Sequence, residues 1–333
     1  MRWLRIIIPM LLLCFASCQR RPFAEDRSKV YLDLRLNLEI VNHEVEELPQ
    51  NMRVDLYDPE TGNIMYTDYV GPKGGYIHPM PGTYNLVVYN IGTESTIVHN
   101  EHDYNKIEAY TNEISSFLKS QMREFLAKRY KLSKGGDPVD KAPQPNLDEL
   151  VVNEPDHIFV GWHNNLEVPV TYEYEDFKEV YVEVEAHTIV QTWQVEIRNV
   201  EGAQWIGSTV AIMSGQKASV HIGPNIHSDT VAGVYFEMAL EDNETGGKCL
   251  KGKFNTFGIH PVNVVGASLD LGVRDRAGQD FMFQYDVTDQ FEDNEQRYIV
   301  IEEPLVIEEP KVEGGGFQPV VDDWDEIVTD IEL

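Results

Sequence analysis

The sequence is poor in cysteine, in basic charge and in long apolar runs. Three cysteines, Cys14, Cys18 and Cys249, cannot build a disulfide framework. Lys and Arg number 27 against 56 Asp and Glu, a formal charge of -29. So acidic a surface repels phosphate backbones and anionic headgroups, which excludes nucleic-acid binding. The apolar run at the start, Ile6 to Phe15, falls short of the ~20 residues that span a bilayer. Catalytic motifs are missing too. There is no Gly-x-Ser-x-Gly elbow, no His-Glu-x-x-His pair, no phosphate-cradling glycine loop and no dinucleotide fingerprint. No enzymatic activity, catalytic residue, cofactor or metal is therefore expected.

What is present begins at the first residues. Arg2 and Arg5 precede the short apolar run, which leads into Phe15-Ala16-Ser17-Cys18. A charged start, a short apolar stretch and small residues before a cysteine read as a bacterial lipoprotein signal over 1–17, with Cys18 as the lipidated first residue of the mature chain. Cys14 leaves with the signal, so Cys249 is the one thiol left to the fold. Losing Arg2 and Arg5 leaves 25 basic residues against 56 acidic. Membrane attachment then comes from lipid at Cys18 and not from a basic face. The expected location is outside the cytoplasm, tethered to a membrane.

Residues 18–29 are polar and read as a tether. Period-two alternation follows: Leu32, Leu34, Leu36, Leu38 and Ile40 lie on one face of a strand. Met52, Val54 and Leu56 repeat the pattern, as do Tyr84, Leu86 and Val88, with turn residues at Asp58–Asn63 and Pro79–Gly82 between them. Ile114, Phe117, Leu118, Met122, Phe125 and Leu126 instead recur at helical spacing and predict one amphipathic helix at about 112–130. Alternation resumes at Val180, Val182 and Val184 and continues through Tyr285 and Val287. Short strands separated by turns predict an all-β chain of two tandem antiparallel β-sandwich domains, 30–168 and 169–297. An extended acidic tail, 298–333, completes the chain. Its Pro304 and Pro310 fit edge strands and not central ones.

Isolated residues could still carry chemistry. Cys249 has no evident His or carboxylate partner and reads as an inert packed thiol. His99 and His102 with Asp103 do not complete a metal site. Asp58–Asn63 and Glu241–Asn243 read as turns rather than calcium loops. Trp162, with His163 beside it, and Trp205 are candidates for stacking on a glycan, and Trp162 is the candidate retained.

Several segments carry a resemblance: Cys18-Gln19-Arg20-Arg21, Val54-Asp55-Leu56-Tyr57-Asp58, Pro81 to Asn90 with Gly92-Thr93-Glu94, Glu154 to Gly161, and Ser214-Gly215-Gln216-Lys217-Ala218. Together they resemble a family of uncharacterised Bacteroidales lipoproteins that is similar to the fimbrillin superfamily, in particular its minor-fimbria anchor type. The resemblance implies transthyretin-like sandwiches, fimbrial subunits as partners, and assembly by inserting an extended strand of one chain beside a strand of the next. It implies a lipid-anchored fimbrial anchor or minor component in the outer membrane, on the cell surface rather than the periplasmic face. The alternative is a glycan- or ligand-binding outer-membrane lipoprotein. In the tail, Tyr298, Ile299, Val300, Ile301, Leu305, Val306 and Ile307 form the candidate donor strand, with addition to their own domain as the open alternative. Arg20 and Arg21 are candidate processing points, whose cleavage would make the chain a stalk subunit.

Overall fold

The computed structural model describes residues 34–42, 45–115, 150–169, 180–243, 246–262 and 264–310. The expected signal, tether and acidic end, with Cys18, Arg20 and Arg21, lie outside them. Among the described residues there is no α-helix, only two short 3-10 turns, at Ala203–Trp205 and Thr288–Phe291. Of the helix expected at about 112–130, residues 112–115 are not helical, and Glu113 bridges to Val152. The remainder lies outside the described residues.

The first sheet holds β1 (Leu34–Val41), β2 (Met52–Tyr57), β3 (Ile64–Val70), β4 (Gly74–Ile77), β5 (Gly82–Asn90), β9 (Phe159–Val168) and β10 (Val180–Thr188), in the order β3-β2-β5-β9-β10-β1-β4. Its two outer strands, β3 and β4, are consecutive in the chain and meet at a Gly71–Gly74 bridge, so the sheet curls on itself. The alternating residues Leu34, Leu36, Leu38, Met52, Val54, Leu56, Leu86 and Val88 fill its interior. β10, expected in the second domain, pairs in parallel with β1, Leu36 opposite Val182 and Leu38 opposite Val184. The physical reason is burial: Val182, Val184 and Ala186 complete the apolar interior of the first sheet.

The C-terminal half packs two sheets face to face. One contains β8 (Leu150–Asn153), β13 (Ile206–Lys217), β16 (Val231–Phe236), β19 (Ser268–Asp275) and β20 (Asp280–Asp286), in the order β20-β19-β13-β16-β8. The other contains β11 (Gln191–Ile197), β17 (Met238–Asp242), β18 (Lys248–Thr256) and β21 (Tyr298–Ile301), in the order β17-β18-β11-β21. Between them lie Trp193, Val195, Met213, Val234, Phe236, Phe254, Leu269, Leu271 and Val273, the core of a β-sandwich. A pair formed by β12 (Val200–Glu201) and β22 (Leu305–Val306) closes one end.

A third core joins the halves. The outer face of the curled sheet buries Tyr57, Val87, Tyr89 and Val160 against Ile107, Val220, Ile222 and Phe257. It is covered by a small sheet of β6 (Thr96–His99), β7 (Glu108–Thr111), β14 (Ser219–His221) and β15 (Ile226–His227), in which β7 of the first half pairs with β14 of the second.

Candidate functional site

The tail residues expected as a donor strand are seated on their own sandwich. β21 runs parallel to β11, Val195 opposite Ile299 and Ile197 opposite Ile301, and β22 runs parallel to β12. Alternation turns Ile299, Ile301, Leu305 and Ile307 into the core, all nearly fully buried, and leaves Val306 45% exposed. Each such buried side chain contributes roughly 1.5–3 kcal/mol, so the segment is firmly held. Polar contacts add to this. Arg198 Nη1 reaches Glu302 Oε1 at 2.7 Å, Asn199 Nδ2 donates to Glu302 O at 2.8 Å, and the Tyr298 hydroxyl donates to Glu196. Burial and the adjoining Glu196 carboxylate push the Tyr298 phenol up to about 12, while the Tyr298 and Arg198 donors hold Glu196 below its ordinary value.

Among the described residues, β21 meets side chains and not a strand on its other side. Gln290 Nε2 donates to Val300 O at 2.9 Å, and Val300 N donates to Gln290 Oε1 at 2.8 Å. Asn294 Nδ2 donates to Tyr298 O at 2.9 Å, and Tyr298 N donates to Asn294 Oδ1 at 3.4 Å. Sequence reasoning missed both amides. The only available signal was an Asn and a Gln four residues apart just ahead of the tail strand.

The other candidates stand apart from one another. Trp162 is half-buried over the third core, and its indole N–H donates to Ile222 O at 2.8 Å. His99 Nε2 is 2.7 Å from Glu108 Oε2, while Asp103 pairs with Lys106 at 2.8 Å. No group of three or more His, Cys, Asp or Glu able to hold a metal occurs among the described residues. Asp58 Oδ1 accepts from Glu60 N and Thr61 N, a turn rather than an ion cage. Trp205 ends a 3-10 turn and accepts Arg276 N through its carbonyl at 2.8 Å. Cys249 is fully buried, and burial pushes its thiol up.

One buried charged cluster was not legible in the sequence. Arg53 Nε lies 3.0 Å from Asp55, whose Oδ1 also accepts from Thr67 Oγ1 at 2.7 Å, and Arg53 Nη1 reaches Glu101 at 2.6 Å. The Tyr57 hydroxyl donates to Glu101 O at 2.9 Å. Burial pushes the Asp55 carboxyl up against the opposing pull of Thr67 and Arg53. The cluster pins the loop after β6 to the curled sheet.

The outer surface of that sheet also carries an aromatic row. Arg35 lies opposite both Tyr76 and Tyr181 in the strand register, with its guanidinium 5.6 Å from the Tyr76 ring centroid. Tyr76 is 48% and Tyr181 55% exposed.

Comparison with known proteins bears on these surfaces. A Bacteroides ovatus protein, Fim4B, described as a candidate fimbrium anchoring subunit, is 35% identical over 107 residues, which is 32% of this chain and 31% of that protein. The chain thus matches less than a third of that relative's length. The crystal structure of a candidate adhesin from Bacteroides ovatus superposes with a TM-score of 0.60 at 19% identity, covering 88% of this chain and 98% of the other, so the fold is shared. The fimbrial anchor protein Mfa2 of Porphyromonas gingivalis is similar at a TM-score of 0.44 and 11% identity over 80% of this chain and 90% of that one, too loose a likeness to add to this. Residues 17–237 match a domain of unknown function, DUF5119, and the chain belongs to that family.

Proposed function

We propose that this protein is a lipid-anchored fimbrial anchor or minor fimbrial component of the cell envelope, holding fimbrial subunits by β-strand addition. The observation that carries this reading is the stretch of 107 residues shared with a candidate fimbrium anchoring subunit. In this reading Cys18 bears the lipid on the outer membrane, Arg20 and Arg21 stay uncleaved, since cleavage there would release the chain from its lipid as a stalk subunit, and two transthyretin-like sandwiches project from the tether. The 30–168 and 169–297 division then shifts, with β10 assigned to the first unit.

Strand addition needs an open edge. The curled sheet brings its own edges together at Gly71–Gly74, and β21 is covered by Gln290 and Asn294. In the C-terminal sandwich β8 is bonded by residues 112–114, which directs the reading to β17, where Ala239 to Asp242 are exposed, and to β20, beyond which no strand pairs among the described residues. Use of Tyr298 to Ile307 as a donor requires first pulling four apolar side chains out of the core.

The test is labelling with a palmitate analogue in the producing cell, followed by isolation of the chain from outer membranes. Expected are label lost on Cys18→Ala and co-isolation of fimbrial subunits. An unlabelled chain that co-isolates with no fimbrial subunit would overturn the reading. A second reading, capture of a glycan, draws on the Tyr76–Arg35–Tyr181 row, since aromatic faces flanking a guanidinium suit sugar rings. Binding to a glycan array that is lost in Tyr76→Ala would favour it.

A further inference from the structure

The outermost strand of a sheet leaves every second backbone N–H and C=O pointing outward, a ready template for another strand. Along β21 the residues facing β11 are identified by their bonds: Gln194 N donates to Arg297 O at 2.9 Å and Arg198 N to Ile301 O at 3.0 Å. The outward groups are therefore those of Tyr298 and Val300. All four, two N–H and two C=O, are bound by the carboxamides of Asn294 and Gln290. A carboxamide offers one acceptor and two donor hydrogens side by side, the same pair of functions that a peptide unit of a neighbouring strand would present.

The two amides are held on a fixed support. Gln290 lies in the 3-10 turn Thr288–Phe291, whose Phe291 is buried against Trp193 with ring centroids 4.6 Å apart. Asn294 Nδ2 also donates to Gln290 O at 2.8 Å, tying the two positions together. Asp293 and Arg297 take φ of 51° and 52°, a conformation uncommon for non-glycine residues, which folds the loop back along the strand.

We propose that Gln290 and Asn294 are an edge lock that closes the C-terminal sandwich to strand pairing with a second copy of this chain. The second copy is the partner the geometry guards against, because an identical edge is self-complementary about a twofold axis. The lock goes beyond the fimbrial reading and stands on the backbone of β21 alone. Opening it leaves two backbone donors and two acceptors of a parallel edge strand free to pair.

The test is amide hydrogen exchange with light scattering on the full chain, comparing the natural protein with Gln290→Ala/Asn294→Ala. In the natural protein the Val300 amide is expected to be protected although it sits on a sheet edge. In the variant it should exchange at least tenfold faster, with Ile299 and Ile301 still protected by β11, and the chain should self-associate as its concentration rises. If the double variant loses protection throughout β11, Gln290→Ala alone is read by the same criteria. Unprotected Val300 in the natural protein, or a folded variant that stays monomeric, would overturn the proposal. Neither outcome depends on whether a fimbrial subunit binds.

Discussion

Gly202 lies directly under Ile307 of the tail. A Cβ on this residue would sit 1.9 Å from the Ile307 carbonyl oxygen, and its φ is +73°. Only glycine meets both conditions without strain. Gly202→Ala is therefore expected to lift β22 off β12 and to destabilise the chain by about 2 kcal/mol or more. Urea unfolding measures the loss, and limited proteolysis should show earlier cleavage near Pro304. An unchanged midpoint would mean that the tail is not packed on Gly202.

The Arg53–Asp55 pair makes a second prediction. Asp55 is fully buried and Arg53 partly so. Removing Asp55 leaves Arg53 with Glu101 as its ion partner and takes the acceptor from Thr67 Oγ1, at a cost of about 2 kcal/mol. Asp55→Ala should lose about that much in a denaturation curve. The apolar double substitution Arg53→Met/Asp55→Leu should recover part of it, since neither charge is then buried.

Glu154 ties stability to pH. Its carboxyl accepts Asn255 N at 2.9 Å, yet burial, with Asp156 and Glu237 adding to it, raises it from 4.5 to about 7. Between those values the folded chain holds a proton that the unfolded chain has released, so this group's contribution to stability falls as pH rises through the window. It is fully present below about 4.5 and lost above about 7. Glu154→Gln keeps the acceptor and removes the charge. The variant should gain on the order of 1 kcal/mol over the natural chain at pH 8, discounted for solvent screening, with no gain at pH 4. Equal stabilities at pH 8 would contradict the assignment.

Much of the architecture was legible as period-two alternation, because a half-buried strand writes its burial into every second residue. Leu34, Leu36 and Leu38 are an example, as are Trp193, Val195 and Ile197. Pairing was not legible. Val180 to Val184 alternate equally well for either half, and only the unfilled interior of the curled sheet decides for β1. Asp55 was hidden for a related reason. The residues between Met52, Val54 and Leu56 read as a solvent face, but the third core covers that face too. The tail's apolar residues read as an edge strand, with its own domain and a partner's both open, and in the structure β21 and β22 pair with β11 and β12. The lock was not legible because both amides bond backbone atoms and not side chains, Asn294 those of Tyr298 four residues on and Gln290 those of Val300 ten residues on.

On the proposed reading, a fimbrial subunit would pair with an open edge of the C-terminal sandwich, β17 or β20, and not with the locked β21. The most direct measurement places a photoreactive residue at Leu240 on β17, at Met282 on β20 and at Val300 on β21, in the producing cell, with adducts identified by mass spectrometry. The expected result is a fimbrial-subunit adduct from Leu240 or Met282 and none from Val300. Adducts from Val300 alone, or from none of the three, would contradict the account.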